Sequence, residues 1–387
     1  YAGMGRRLYE TEVVFRDELD RLARAMEGRL EAPLLEVLFG ASSARLADTR
    51  FTQPALYALE VALAELWKSW GVVPAAVLGH SVGGLAAAAV AGLFDVEAGA
   101  VFAAERGRIL GALPPGGAMA AVVAGEERVR AAIGGLEGRL AVAAVNAPEE
   151  TVLSGDAAAL GAVVARLRAE GVDVRDLAVS HAFHSPLVDP ALAGLAVAAR
   201  RLPFAPPRLP IVSDVTGRIE PADAFARPEY WTSHAREPVR FRDGLAALAA
   251  AGCDVFLEIG PHPVLAAAGG RCLPGRAGAF RGSLRKGKDD VREILSALAA
   301  LHEQGVAVDW RAFAGRGGPR AILPANPFRR ERHWLADPSP AGAGRGSRRV
   351  RLSTGGGSGL GDHRIHGRIV VPAAAWLELA LAAALST

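Results

Sequence analysis

Gly79-His80-Ser81-Val82-Gly83 is a G-x-S-x-G pattern, and His181-Ala182-Phe183-His184 follows far downstream. A serine hydroxyl is a weak nucleophile until a base takes its proton, and histidine is the usual base. Together they could perform covalent catalysis through a serine ester, with plain ester hydrolysis as the rival outcome. Five of the nine histidines are candidate bases: His80, His181, His184, His234 and His262. His80 sits inside the pattern and is expected to point away. His181 and His184 lie where an inserted unit hands the chain back to a larger one, and such a hinge suits a cleft.

Glycine is common here, 45 of 387 residues, so the pattern gains weight only from its setting. That setting fits. Ala75–Leu78 is a short apolar strand, and Val82–Ala91 is a run of small residues that reads as a helix. A sharp strand-to-helix turn needs glycines where backbones approach. It lifts the serine hydroxyl above the sheet, at the positive end of the following helix. The N–H of Val82 would then face a developing oxyanion.

The elements around this turn follow from periodicity. Residues 7–40 read as amphipathic helix pieces. A strong helix is expected from Phe51 to about Trp70, with Pro54 in its first turn. Another is expected over about 95–110. Between residues 118 and 182 the order is β-α-β-β-α-β, the split βαβ arrangement. Its middle strands, Leu140–Val145 and Thr151–Ser154, are separated by Asn146-Ala147-Pro148. The larger unit resumes with a strand at Ile211–Asp214, a helix from Phe241, a strand at Val255–Gly260 and a helix over 289–303. The reading is α/β: a small subdomain of ferredoxin-like order inserted in a larger α/β unit.

Bulk composition narrows the classes. The chain is 51% hydrophobic and 22% charged, enough for a large core. Its net charge of +3 comes without basic runs interleaved with aromatics, so nucleic acid is not an expected partner. No apolar run is long enough to span a membrane. The two cysteines, Cys253 and Cys272, make neither a disulfide framework nor a metal site, which fits a cytoplasmic setting. Residues 336–361 are rich in Pro, Gly, Ser and Arg and read as a flexible linker.

Seven ordered motifs resemble the acyltransferase domain of modular type I polyketide synthases, and more distantly the malonyl-CoA:acyl carrier protein transacylases. They are Tyr1-Ala2-Gly3-Met4-Gly5, Phe51–Leu56, Gly79–Gly84, Ala104–Arg108, Val145–Pro148, His181–His184 and Glu258–Leu265. Leu323–Trp334 resembles the segment that folds back along such domains. The resemblance implies an α/β-hydrolase-like large subdomain with the inserted ferredoxin-like small subdomain. It also implies a Ser81–His184 dyad without a triad carboxylate, its histidine oriented by backbone carbonyls. No Asp or Glu stands out as a third member. It implies that Arg106, 25 residues after Ser81 (106 − 81 = 25), pairs with the free carboxylate of the acyl chain. His-Ala-Phe-His goes with malonyl selection in this family and Tyr-Ala-Ser-His with methylmalonyl. Phe183 would fill the space an α-methyl needs, and one methyl of fit is worth roughly 1–3 kcal/mol. Val82 agrees, since methylmalonyl types more often carry Gln there. His181 is expected in the pocket wall, and Gln53, Asn146 and His262 near it.

The resemblance implies malonyl-CoA as substrate, no bound cofactor or metal, and transfer to the phosphopantetheine of an acyl carrier protein in secondary-metabolite biosynthesis. The expected layout is large subdomain at 1–117 and 183–283, small subdomain at 118–182, post-acyltransferase segment at 284–335, linker at 336–361, and a dehydratase start at 362–387. There His363, Gly367 and Pro372 fit a His-x3-Gly-x4-Pro motif. A ketosynthase and the dehydratase are the expected neighbours in one multifunctional polypeptide. Family members normally carry a strand and a Gln-containing loop before the position of Tyr1, and that Gln lends a second oxyanion donor. The chain as given is therefore expected to be weakly active or poorly folded alone.

Overall fold

A computed structural model describes residues 1–41, 43–315, 351–353 and 359–385. The chain divides into two compact units, 1–318 and 319–387. The core of the first is the helix Thr49–Ser69, in which Tyr57, Leu59, Val61 and Leu63 are fully buried. It starts earlier than the sequence suggested, because the Asp48 side chain accepts the Arg50 N–H at 2.9 Å and caps it. Pro54 therefore lies in the second turn, where it forgoes one helix bond. The helices Val13–Ala25, Gly83–Ala91 and Val96–Gly111 contribute to the same hydrophobic core.

The nucleophile pattern follows β1 (Val77–Leu78). The insert comprises β2 (Gly117–Val122), β3 (Leu140–Ala147), β4 (Glu150–Asp156) and β5 (Val174–Leu177). They form one antiparallel sheet in the order β3-β4-β2-β5, with the helices Glu126–Ala132 and Ala157–Ala169 supplying residues to its core. This is the ferredoxin-like order. Asn146 lies within β3, one residue before its end, rather than opening the turn.

The chain then returns as β6 (Ile211–Ser213), parallel to β1 with Val77 opposite Ile211, and β7 (Arg218–Ile219) pairs antiparallel to β6. β8 (Phe256–Glu258) and β9 (Phe280–Gly282) form a separate parallel pair. Three helices that periodicity did not mark, Leu192–Ala199, Pro228–Arg236 and Val264–Cys272, complete this part. The edge strand β3 is bulged and exchanges hydrogen bonds with Val239, both at 2.9 Å. Ala143, Ala144 and Val152 pack with Val212, Phe241 and Leu245, so the insert shares a core with the large subdomain.

In the second unit, the strands Arg364–Ile365 and Arg368–Ile369 form a hairpin, and a helix runs Ala373–Ala384. The fold-back motif Leu323–Trp334 and most of the expected linker lie outside the described residues. Among the described residues, no helix is long and apolar enough to cross a membrane, and no cluster of three or more His, Cys, Asp or Glu could hold a metal.

Candidate active site

The turn after β1 is shaped by contact. A Cβ at Gly79 would fall 2.2 Å from the Gly84 Cα, and one at Gly84 would fall 2.5 Å from His234 Nε2. Gly83 is less constrained, with Glu60 Oε2 the nearest atom at 3.5 Å. The glycine after the five-residue pattern is thus the more demanding one. Ser81 lies at φ 52°, the left-handed region that β-carbon residues rarely occupy. Its N–H donates to Asp214 Oδ2 at 3.0 Å. The Val82 N–H finds no acceptor among the described residues, as an oxyanion donor requires.

His184 meets this turn from the loop after β5. It too has a left-handed backbone, φ 56°, and it is buried. Ser185 pins the loop, its Oγ donating to the Ala182 carbonyl at 2.7 Å. His184 Nε2 lies 2.8 Å from Ser81 Oγ, and Nδ1 lies 2.8 Å from the Glu237 carbonyl. A carbonyl only accepts, so Nδ1 carries the proton and Nε2 presents its lone pair to the serine. Burial, then Arg106 and His234, push the imidazolium pKa down to about 3. His184 is therefore neutral at physiological pH, with an Nε2 lone pair able to take a proton. The expectation of a backbone carbonyl in place of a triad acid agrees with this arrangement.

Arg106 comes from the helix Val96–Gly111 and is 3% exposed. That helix closes on Thr49–Ser69 through small residues: a Cβ at Gly107 would fall 2.9 Å from the Thr49 carbonyl. Arg106 Nη1 donates to Gln53 Oε1, and Gln53 Nε2 donates to Thr49 Oγ1 at 2.7 Å. Arg106 Nε is buried with no hydrogen-bond partner among the described residues. Burial pushes the guanidinium pKa down to about 10, which leaves it charged at neutral pH.

The remaining candidates separate. Half-buried Phe183 packs against a cluster that includes Leu110, Val188 and Leu195. His181 sits beside it, ring centroids 6.1 Å apart, and its Nε2 lies 3.1 Å from the Leu113 carbonyl. Asn146 Oδ1 lies 2.9 Å from His80 Nε2, so Asn146 holds the histidine of the turn. His80 accordingly points away from the hydroxyl. His262 is exposed and takes a 3.3 Å hydrogen bond from the Lys286 N–H, which places it on a surface loop. His363 belongs to the second unit, its Nδ1 2.8 Å from the Val370 carbonyl.

Sequence reading missed Asp214 and gave His234 no place beyond the list of bases. Both are buried, 3.3 Å apart, on the underside of the turn. The available signal was an acid closing an apolar strand, at the carboxyl end where open α/β sheets gather function. The search for a third member thus has a two-part answer: His184 leans on a carbonyl, and the acid holds the serine main chain.

A family model described as the acyl transferase domain matches residues 1–308. Polyketide synthase GfsA of Streptomyces halstedii is 40% identical over 98% of this chain, which spans 6% of that protein. Mycoketide-CoA synthase of Mycobacterium tuberculosis is 38% identical over 99% of the chain and 10% of its own length. The chain thus covers a tenth or less of these two relatives. Among solved structures, the acyltransferase domain from the second module of the salinomycin polyketide synthase has a TM-score of 0.78 at 43% identity, covering 82% of this chain and 73% of that one. The malonyl-CoA:acyl carrier protein transacylase of Xanthomonas oryzae pv. oryzae has a TM-score of 0.69 at 30% identity, covering 77% and 94%.

Proposed function

This chain belongs to the acyl transferase domain family, in the form found in type I polyketide synthases, and we propose that it moves a malonyl unit from malonyl-CoA, through an ester on Ser81, to the phosphopantetheine thiol of an acyl carrier protein. The observation that carries this reading is the buried Arg106 cation, whose Nε has no hydrogen-bond partner among the described residues, in the company of a Ser–His pair. Hydrolysis alone gives no reason to bury that charge. A free carboxylate on the acyl chain does, because it meets the guanidinium through charge-assisted bonds.

In this mechanism Ser81 Oγ attacks the thioester carbonyl while His184 Nε2 takes its proton. The oxyanion faces the Val82 N–H. Collapse breaks the C–S bond, and His184 returns the proton to the departing CoA thiolate. The carrier thiol repeats these steps in reverse roles and regenerates Ser81. Gln53 holds Arg106 against the carboxylate. Phe183, backed by His181, occupies the room an α-methyl would need. His363 and the segment around it are proposed as the start of a dehydratase domain in the same cytoplasmic polypeptide, with a ketosynthase as a further neighbour.

The test is intact-protein mass after brief exposure to malonyl-CoA or methylmalonyl-CoA, with Ser81→Ala as control. A malonyl adduct that requires Ser81, formed about 10–200-fold faster than the methylmalonyl one, is expected. Faster methylmalonyl loading would sink the substrate assignment, and an adduct that survives Ser81→Ala would sink the mechanism.

A further inference from the structure

Asp214 follows β6 immediately, under the nucleophile turn, and is 3% exposed. Its Oδ2 accepts the Ser81 N–H at 3.0 Å and lies 3.3 Å from His234 Nε2. Its own carbonyl accepts the Arg240 N–H at 2.6 Å, so its main chain is held as well. Titratable and charged groups on several elements act on this carboxylate electrostatically. His234 and Tyr230 come from the helix Pro228–Arg236, His80 from the turn, His184 from its loop and Arg106 from the helix Val96–Gly111. Burial opposes its ionisation, yet the adjacent His234 holds its pKa below the ordinary carboxylate value. Arg106 and His184 both feel this negative charge, which favours their protonated forms.

We infer that Asp214 is a positioning residue for acyl transfer: it fixes the Ser81 main chain in its left-handed conformation and supplies the negative charge shared by Arg106 and His184. This role rests on the reading of Ser81, His184 and Arg106 given above. In the resting site the carboxylate partly balances Arg106. When His184 gains the serine proton, the same carboxylate stabilises the imidazolium. The α/β scaffold thus keeps an acid near its Ser–His pair, bonded to the nucleophile's backbone instead of the base's ring.

The two roles pull substrate binding and chemistry in opposite directions, which provides the test. Asp214→Asn keeps an acceptor for the Ser81 N–H and removes the charge. In rapid acylation with malonyl-CoA, the maximal rate should fall about tenfold, the equivalent of about one pK unit. The half-saturating concentration should fall several-fold, because Arg106 is left freer for an anion. With acetyl-CoA, which has no free carboxylate, the rate should fall and half-saturation stay put. Asp214→Ala should lose more rate than Asp214→Asn and should speed hydrogen exchange at the Ser81 amide. A merely structural role would slow both substrates with no opposite move in half-saturation, and that result overturns the inference. So does native-like loading of malonyl by Asp214→Asn. Independently of any variant, the Ser81 amide of the native chain should exchange only on global unfolding, and fast local exchange also overturns it. Absence of any Ser81 ester in the native chain would fell the underlying reading instead.

Discussion

Arg106 holds a full positive charge in a buried setting with a neutral amide, Gln53, as its hydrogen-bond partner. A buried charge is costly unless it is fully compensated, and Asp214 balances this one only in part, so the side chain is poised for an anion. Charge-assisted bonds to such an anion are worth roughly 1.5–3 kcal/mol each. Arg106→Ala should therefore cut malonyl loading of Ser81 by about 10–100-fold while barely changing loading from acetyl-CoA. Arg106→Lys should recover only part of the loss, since an ammonium cannot form the paired fork. Acylation rates for the two CoA esters, measured side by side, check this. Equal losses with both esters would mean that Arg106 supports the fold and does not select the substrate.

At the scale of elements, the nucleophile turn works because two stretches of backbone and one ring interlock without room for a methyl. Gly79 lies against Gly84, and Gly84 lies against His234. Gly84→Ala would force the His234 ring away from the turn or the helix Gly83–Ala91 out of line. Overpacking of this kind costs about 1–3 kcal/mol. The expected outcome is a lower urea midpoint with an unchanged slope, together with a loss of Ser81 acylation. Gly83→Ala, whose new Cβ would meet only Glu60 at 3.5 Å, should be the milder of the two. The reverse ranking would refute this account of the turn. Val239 links the elements further: it pairs with β3 of the insert and lies two residues after Glu237, whose carbonyl orients His184. The seam between the subdomains is therefore built into the alignment of the base.

At the scale of the whole molecule, burying His184 makes stability depend on pH. Its folded-state pKa of about 3 lies below the ordinary 6.5. Between those values the unfolded chain binds a proton that the folded chain refuses, so stability falls as pH falls through that window. His80, also held low by burial, acts in the same direction. Thermal midpoints should drop steadily from about pH 6.5 to about pH 4. His184→Gln should flatten part of that slope and leave the share due to His80. An unchanged slope in the variant would show that His184 does not carry the linkage.

Much of this was legible in the sequence because it is local. A strand, a glycine-flanked serine and a small-residue helix follow one another within about fifteen residues, and periodicity together with turn chemistry specifies them. The β-α-β-β-α-β order of the insert was equally plain, since each of its elements has its own hydrophobic period. The family resemblance then supplied roles for His184 and Arg106 that spacing alone could not. What only the tertiary structure decided is which distant groups converge. The Glu237 carbonyl holds the base through its main chain, so its side chain left no trace to read. Asp214 sits 133 residues from the amide it accepts, and only the parallel pairing of β1 with β6 brings the two together. His234 shapes the turn by steric contact from a helix that periodicity did not mark. Asn146 is expected near the pocket from its motif, and only packing reveals that its side chain meets His80. Sequence records what each segment prefers to become, whereas the partners of a buried charge depend on which segments the fold brings side by side.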